Sequence, residues 1–305
     1  MTMPVTSWGE VARRGCRYDS RVLSASCIRR ALRTLMSATL LCVGCDRAPA
    51  EQRANRGVTA ALGQWIWTRA DVARYMESLA AYPSLEAGVF IGSVRCESAA
   101  RRLVAQAGLP PTVVPDARPV AVIRLDDGLY GCRDVSEQPA VFEQRLDSVV
   151  RVLRRRGGAV SYSAVQLDHD AMPRGLAAWA ASVRFLRGHA LVGDSVWVTS
   201  IIAHLREARY GTLFTGVVSG HVLQLFDTGE MPTESRVIEA VTLARRADLP
   251  FRIGLGAFER STARGPTNHR AWFAAIPKFA TVRGYAGVWI FPAGQRWVTL
   301  FRETM

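Results

Sequence analysis

Apolar residues along the chain recur in short runs that alternate with amphipathic segments of helical period. A run of four to eight small, β-branched or aromatic residues between glycine, proline or polar residues is typical of a buried strand. Eight runs of this kind follow residue 60. They are Gln64–Trp67, Leu85–Val94, Arg118–Leu125, Val160–Leu167, Ser195–Ile202, His221–Phe226, Phe251–Phe258 and Tyr285–Phe291.

Segments with a helical pattern separate most of these runs. Thr68 can cap a helix that extends to about Ala81, and Thr233 can cap one from about Glu234 to Ala247. The amphipathic or helical composition of four more segments predicts helices there. These segments are Ser98–Ala107, Gln138–Arg156, Gly175–Arg187 and His204–Thr212.

Strands that alternate with helices along a chain predict a parallel sheet that is covered by helices. Eight such units in roughly 245 residues match the size and the repeat of a (β/α)₈ barrel. The sequence therefore predicts an α/β fold of the TIM-barrel type. Gly265, Pro266 and Pro277 interrupt the helical pattern between Arg260 and Gly284, so we expect the last βα unit to be irregular.

The run Val160–Leu167 continues into two carboxylates, and this feature gives the first indication of function. Because side chains alternate along a strand, Gln166, Asp168 and Asp170 share one face and His169 lies on the other. Unpaired ionised carboxylates are costly to bury in an apolar interior. We therefore expect this face to line a polar cleft or to contact a basic partner.

Further polar and aromatic residues follow the other predicted strands, at the end where TIM barrels carry their active sites. Aromatic rings can stack on the faces of sugars, and glycosidic cleavage uses a pair of carboxylates. The pattern thus favours the binding or hydrolysis of a carbohydrate. The candidate catalytic residues are Asp168, Asp170, Asp227 and Glu259, and the candidate substrate-binding residues are Trp67, Arg124, Asp126 and Gln166.

Arg124 is expected to point into the barrel and to pair with Asp168 on the next strand, where its charge would keep that carboxylate ionised. The pair can either face a substrate or serve only as a structural network. Two other features have a structural alternative as well. Trp65, Trp67 and Trp289 can be core residues rather than sugar platforms, and Asp126-Asp127-Gly128 can be a simple turn.

Composition and charge exclude several other functions. The formal net charge is +13, but the arginines are spread over many segments and Lys278 is the single lysine, unlike the clustered charge of a nucleic-acid-binding protein. His169, His204 and His221 lack the spacing of metal ligands, and the chain has neither a glycine-rich phosphate loop nor a nucleophile elbow. We therefore predict no metal, no cofactor and no nucleic-acid partner.

The segment Arg29–Cys45 has a basic head, a short apolar run and small residues before a cysteine, which is the layout of a secretory signal. Val43-Gly44-Cys45 resembles a bacterial lipobox, although Cys42 stands where that motif usually has leucine. The resemblance implies cleavage before Cys45 and lipidation of its thiol; an ordinary signal or an uncleaved anchor are the alternatives. Asp46 resembles an inner-membrane retention signal and implies a protein that faces the periplasm in a bacterial cell envelope.

The predicted domain organisation follows from this leader. Residues 1–45 form a signal or lipoprotein leader, residues 46–59 a polar tether, and residues 60–305 the barrel. Cys96 and Cys132 are the cysteines that remain after lipidation of Cys45. In an oxidising compartment they can form a disulfide, although two separate buried thiols fit the sequence equally well.

Five segments together resemble the bacterial domain-of-unknown-function family number 3142. The Gln-x-Asp-aromatic-Asp pattern is its most specific part, and His169 takes the aromatic position here. The resemblance implies a glycosidase-like barrel, often behind a signal or lipoprotein leader, without a settled activity. The matching segments are Trp65-Ile66-Trp67, Val122-Ile123-Arg124-Leu125-Asp126, Val165–Asp170 with Leu176–Leu186 after it, Val198-Thr199-Ser200 and Pro250–Leu255.

The chain is also distantly similar to family-eighteen chitinases, whose fourth strand ends in Asp-x-x-Asp-x-Asp-x-Glu. Asp168 and Asp170 match the last two aspartates, but Val165 replaces the first one and Met172 replaces the proton-donating glutamate. The sixth-strand motif Met-x-Tyr-Asp is present as Gln224-Leu225-Phe226-Asp227, without the tyrosine hydroxyl. These departures argue against the chitinase mechanism.

Three hypotheses follow from the sequence. The first is an exported, lipid-anchored barrel that binds or acts on a polysaccharide or a peptidoglycan-type sugar. If it cleaves this sugar, we expect Asp170 to be the acid or base, Asp168 its charge partner and Asp227 or Glu259 the second carboxylate. The second is a lipoprotein that binds glycans without cleaving them. The third is an envelope scaffold, which would present an exposed apolar patch rather than a polar groove.

Overall fold

The computed structural model describes the part of the chain that follows the predicted tether. The described residues are 60–115, 118–134, 136–156, 158, 160–226, 232–258, 261–262, 265–266, 269–292 and 297–304. Cys45, Asp227 and Glu259 lie outside these residues. Within the described part, no helix combines the length and the apolar character that crossing a membrane requires.

The strands occupy all eight of the predicted runs. They are β1 (Ala61–Ile66), β2 (Glu86–Glu97), β3 (Arg102–Ala107), β4 (Val120–Leu125), β5 (Ala164–Asp168), β6 (Val196–Ile201), β7 (Gly220–Gln224), β8 (Phe251–Gly256), β9 (Ser261–Thr262), β10 (Gly265–Pro266) and β11 (Tyr285–Phe291). Eight of them are parallel neighbours in the order β1, β2, β4, β5, β6, β7, β8, β11. β11 pairs with β1 and closes the sheet, so the predicted (β/α)₈ barrel is confirmed.

Helices surround the barrel. They are α1 (Arg69–Ala81), α2 (Pro139–Arg155), α3 (Leu176–Gly188), α4 (Ile202–Arg206), α5 (Tyr210–Phe214), α6 (Glu234–Ala247), α7 (His269–Ala274), α8 (Ile276–Ala280) and α9 (Trp297–Thr304). The predicted cap of α1 is a capping box, in which the Thr68 hydroxyl accepts from the Asp71 amide and the Asp71 carboxylate accepts from the Thr68 amide. Between β8 and β11 the β9–β10 hairpin and two short helices form the irregular unit that the glycines and prolines predict.

Two predictions from the sequence are wrong, one about the type of an element and one about where a strand begins. The segment Ser98–Ala107, predicted as a helix, is a short 3₁₀ turn followed by β3, which pairs antiparallel with the outer end of β2. Pairing with an exposed strand edge outweighs the weak helical preference of its alanines and arginines. In addition, β5 begins at Ala164 rather than at residue 160, since its hydrogen-bonded partner β4 begins at Val120, in register with Ala164.

Tryptophan rings fill the interior of the barrel, and glycines on other strands make room for them. Trp65 and Trp289 are almost completely buried, with ring centroids 5.5 Å apart. A Cβ atom at Gly88 would lie 2.1 Å from the Trp289 ring, and one at Gly254 would lie 2.8 Å from the Trp65 ring. Glycine is therefore required at these inward positions by close packing.

Arg252 closes the amino end of the barrel. Its guanidinium carbon lies 4.3 Å from the ring centroid of Trp197 and 5.2 Å from that of Trp289, and one nitrogen lies 3.2 Å from Glu86. The aromatic faces and the carboxylate compensate this buried cation. Together with the tryptophans it fills the lower interior.

Cys96 and Cys132 form a disulfide, with their Cα atoms 5.5 Å apart. The bond joins the carboxyl end of β2 to the 3₁₀ turn Leu129–Cys132 that follows β4. Of the two states that the sequence allows for these thiols, the structure contains the bonded one. It tethers the loop after β4 at the carboxyl end of the barrel.

Candidate functional site

A cavity of about 440 Å³ opens at the carboxyl end of the barrel strands. Its walls combine charged and amide groups with several aromatic rings. The lining residues are Trp65, Trp67, Arg124, Gln166, Asp168, Asp170, Ile201, Gln224, Phe226, Phe258 and Phe291. Because functional sites in TIM barrels lie at this end, the cavity is the candidate site.

The two-residue period of β5 places its polar face toward this cavity. Gln166 and Asp168 point inward and are almost fully buried, and Asp170 continues the same face at the rim. On the neighbouring strand Arg124 is in register with Asp168. The alternation along two paired strands thus brings one cation and two carboxylates to the same side of the cavity.

Arg124 lies within ion-pair distance of both aspartates. Its Nη1 atom is 4.0 Å from Asp168 Oδ2, and its Nη2 atom is 3.5 Å from Asp170 Oδ2. Asp170 is about half exposed, whereas Asp168 is buried. One guanidinium therefore shares its charge between a buried and an accessible carboxylate, and Asp170 keeps hydrogen-bonding capacity for a ligand.

Asp168 is the most perturbed acid of the site. Burial, followed by the negative charge of Asp170, raises its pKa from the ordinary 3.8 to about 6, against the opposing effects of Arg124 and of hydrogen bonds from Thr199 and Gln224. The Gln224 amide donates to Asp168 Oδ1 over 3.3 Å. A carboxyl group with this pKa can exchange a proton close to neutral pH.

Gln166 and Trp65 form the floor of the cavity. The Trp65 Nε1–H group donates to Gln166 Oε1 over 3.1 Å. Since the indole nitrogen can only donate, the Gln166 carbonyl oxygen must face Trp65, and this contact fixes the orientation of the amide. Trp65 is thus both a core residue and part of the site, whereas Trp289 belongs to the core alone.

Aromatic residues from four strands form the remaining wall, which we call the aromatic wall: Trp67, Phe226, Phe258 and Phe291. Phe291 lies at its centre, with ring-centroid distances of 5.6 Å to Phe226, 5.9 Å to Phe258 and 6.2 Å to Trp67. Trp67 also stacks on Phe90 at 4.6 Å. The rings therefore pack on one another and form a continuous aromatic surface on this side of the cavity.

The sequence-predicted site residues separate into three groups. Asp168, Asp170, Trp67, Arg124 and Gln166 meet at the cavity. Asp126 does not line it; its amide donates to Val94 and its carbonyl accepts from the Leu129 amide, as in the turn that the sequence offered as the alternative. The third group, Asp227 and Glu259, lies outside the described residues, so a role for either of them as second carboxylate stays a prediction.

Sequence reasoning missed the three phenylalanines of the aromatic wall and Gln224 as site residues. Each phenylalanine lies two positions beyond an inward-facing residue, in the pairs Gln224–Phe226, Gly256–Phe258 and Trp289–Phe291. The strand period, followed to Phe291 at the end of β11 and continued past the ends of β7 and β8 to Phe226 and Phe258, was the signal that could have located them.

The histidines near the site face away from it. His221 is fully buried behind β7, where its Nδ1 atom lies 2.7 Å from the Ser200 hydroxyl, and burial lowers its pKa to about 3. His204 contacts the Ala171 carbonyl. Among the described residues, no group of three or more His, Cys, Asp or Glu side chains has a metal-binding arrangement.

The barrel is similar to those of several solved enzymes. A chitinase from Bacteroides thetaiotaomicron matches 81% of this chain and 96% of its own length, with a TM-score of 0.52 and 12% identity. The GH18 chitinase ChiB of Flavobacterium johnsoniae matches 80% of this chain and 93% of its own length, with a TM-score of 0.51 and 11% identity. The spore cortex-lytic enzyme SleL of Bacillus cereus matches 80% of this chain and 74% of its own length, with a TM-score of 0.51 and 10% identity. The chain has a chitinase-like barrel fold.

At these identities the similarity concerns the fold alone. No family model and no curated protein matches the sequence. The resemblance to family number 3142 therefore receives no support from these comparisons, which show a barrel fold similar to those of chitinases and no more.

Met172 marks the main chemical difference from the chitinase motif. It stands where that motif has its glutamate, and 62% of the residue is exposed to solvent. A thioether cannot donate a proton to a leaving group. Proton transfer in this cavity, among its described residues, is therefore restricted to Asp168 and Asp170.

Proposed function

We propose that the cavity binds a carbohydrate. The observation that carries this proposal is the division of the cavity into two unlike sides. The aromatic wall comes from β1, β7, β8 and β11, whereas Arg124, Asp168 and Asp170 come from β4 and β5, which lie across the barrel from β8 and β11. A sugar ring has an apolar face that stacks on aromatic side chains and hydroxyl groups that pair with charged side chains, so it matches both sides.

The chitinase names of the similar barrels support the same class of ligand. We also propose that the protein belongs to family number 3142, a family of glycosidase-like, exported barrels. The sequence segments quoted above support this membership. A polar, partly charged cavity fits this function better than the envelope-scaffold hypothesis, which requires an exposed apolar patch.

Hydrolysis is a second candidate function, favoured by the position of an accessible carboxylate, Asp170, beside the buried Asp168 at the cavity. In this scheme Asp170, which is accessible at the rim, is the acid or base, and Asp168 is its charge partner held by Arg124. The second carboxylate would come from Asp227 or Glu259. A separation of about 5 Å between the two acting carboxylates would give retention of configuration, and about 6.5–9.5 Å would give inversion.

Replacing Asp170 with Asn tests the site directly. We expect the variant to lose about tenfold in affinity for the glycan, since one charged hydrogen-bond acceptor is removed at the rim. If the protein is a hydrolase, turnover should fall by at least about 10²-fold. The measurements are binding to a panel of soluble oligosaccharides and insoluble polysaccharides by calorimetry or pull-down, and product release by mass spectrometry.

Asp126→Asn is the matched control, because Asp126 follows a neighbouring strand at the same barrel end without lining the cavity. It should bind and react like the unaltered protein. Failure of the unaltered protein to bind any glycan of the panel would overturn the proposed function. Binding without products would assign the protein to the non-catalytic hypothesis.

We also propose that the protein is exported and anchored by lipid on Cys45, facing the periplasm, with Asp46 favouring the inner membrane. The leader pattern and the lipobox-like Val43-Gly44-Cys45 support this location. The disulfide between Cys96 and Cys132 supports it independently, because such bonds persist mainly in oxidising compartments.

Cys45→Ser should abolish lipidation and move the protein out of the membrane fraction. The test expresses the full chain in a Gram-negative host, separates membrane from soluble fractions and follows incorporation of labelled palmitate. Cys42→Leu is the control, since it changes a nearby cysteine to the residue that a lipobox usually has and should leave lipidation intact. Equal labelling or equal membrane retention of the Cys45→Ser variant would contradict the anchor.

A further inference from the structure

His169 separates the two site carboxylates in the sequence, yet its ring points away from the cavity. It is buried among the rings of Trp179 and Tyr130, at centroid distances of 4.9 Å and 5.8 Å. Its Nδ1 atom lies 2.8 Å from the Leu125 carbonyl oxygen. The side chain therefore makes a specific polar contact in the buried layer behind the site.

The partner of this contact lies next to Arg124. Leu125 is the last residue of β4, and the register between β4 and β5 ends one residue earlier, at Arg124 and Asp168. The Leu125 carbonyl lies beyond the paired residues and receives a hydrogen bond from the His169 ring instead of from a strand amide. Because a carbonyl only accepts, Nδ1 must carry the hydrogen in the neutral and in the protonated ring alike.

The backbone of His169 makes a second fixed contact on the opposite side. Its amide donates to the Thr199 hydroxyl oxygen of β6 over 3.0 Å. An amide can only donate, so the Thr199 hydroxyl accepts here and its own proton is left for the Asp168 carboxylate, to which Thr199 is hydrogen-bonded. His169 is thus bonded to β4 through its ring and to β6 through its backbone.

We propose that His169 is a positioning residue, whose Nδ1–H···O=C bond to Leu125 holds the end of β5 against β4 so that Arg124 lies between Asp168 and Asp170. Without this hydrogen bond, the segment from Asp168 to Asp170 would lose one of its contacts with β4. Both carboxylates would then move away from Arg124 together, while their mutual repulsion would persist.

Three substitutions distinguish positioning from mere filling of space. In His169→Asn the amide nitrogen lies close to the position of Nδ1, whereas in His169→Gln it lies close to that of Nε2. His169→Phe fills the space between Trp179 and Tyr130 without a donor. The asparagine variant is therefore the conservative one, although it is the smallest of the three.

The readout is the titration midpoint of Asp168, followed by NMR in the full chain with ¹³C-labelled aspartate and identified by the signal that Asp168→Asn removes. In the unaltered protein we expect a midpoint of about 6. The glutamine and phenylalanine variants should shift it upward by about half a pH unit or more, because Asp168 loses the attraction of Arg124 and keeps the repulsion of Asp170. The asparagine variant should stay near the unaltered value.

Equal midpoints in the unaltered, glutamine and phenylalanine proteins would overturn the proposal, even if thermal stability drops, because the ring would then act by packing alone. If the phenylalanine variant does not fold, the asparagine and glutamine pair decides, and identical midpoints in those two contradict the assignment. An unfolded asparagine variant contradicts it as well.

The proposal concerns the site of the proposed function, but its readout needs no glycan. A protein that binds no carbohydrate while the Asp168 midpoint follows the expected order would remove the proposed function and leave the role of His169 intact. The opposite result, normal carbohydrate binding with equal midpoints, would remove only the role of His169.

Discussion

Gly88→Ala is expected to lower the free energy of unfolding by about 3 kcal/mol or more, which for many domains is a large part of the total. The added Cβ atom would lie 2.1 Å from the Trp289 ring and close to Trp65 as well. Trp289 is fully buried, so its ring has no free space into which it can turn. Urea unfolding followed by tryptophan fluorescence and far-UV circular dichroism measures the loss.

Gly188→Ala provides the matched control. Gly188 ends α3, and no atom lies within 4 Å of the position of its added Cβ. We expect its stability to be unchanged or higher by up to about 1 kcal/mol, because alanine is the better helix former. Combining Gly88→Ala with Trp289→Leu should recover part of the loss, as the two side chains compete for one space. A fully stable Gly88→Ala variant would show that the interior packing is loose.

Asp168→Asn is expected to stabilise the protein above pH 6 and to bring no gain below about pH 4. Burial and Asp170 raise the pKa of Asp168 from 3.8 to about 6, so the folded state holds this proton more tightly than the unfolded state. The stability that the bound proton contributes is complete below pH 3.8 and is lost as the pH rises through 6. Asparagine has the same shape and no charge to bury, so we expect a gain of about 1–3 kcal/mol at pH 7.5.

Unfolding in urea at pH 4 and at pH 7.5 checks this prediction. Asp126→Asn is again the control, since it changes an aspartate outside the cavity and should show no comparable pH-dependent gain. A loss of stability in Asp168→Asn at both pH values would mean that the attraction between Asp168 and Arg124 outweighs the cost of burial. A gain at pH 7.5 would indicate that the site retains this acid for function at the expense of stability.

The order of strands and helices could be predicted because hydrophobic period and turn residues are local signals. Thr68 and Thr233 each mark the start of a helix in the sequence, because their side chains cap it. β3 could not be predicted in the same way, since its strand state depends on the free edge of β2, a partner that only the folded sheet supplies. Local preference and long-range pairing disagree there, and the pairing dominates.

The same distinction applies to the site. The alternation in β5 sufficed to place Asp168 and Asp170 on one face, and its neighbour β4 placed Arg124 beside them. Asp126 continues the inward alternation of β4 in the sequence, but the chain turns there and its side chain does not line the cavity. Phe258 shows the reverse case, because the chain keeps its direction beyond β8 and carries an aromatic ring to the cavity. Where a strand stops is decided by loop geometry, which the pattern does not encode.

The tryptophans and Arg252 beneath the cavity have a consequence for how a polymer could be handled. They leave the cavity blind-ended, so a chain cannot be threaded through the barrel from one side to the other. If the proposed carbohydrate is a polysaccharide, it must either lie across the mouth or insert one terminus, and an inserted end must leave through the same opening. If binding requires the insertion of a chain end, short oligomers, which have an accessible end, should bind much better than long polymers whose ends are out of reach.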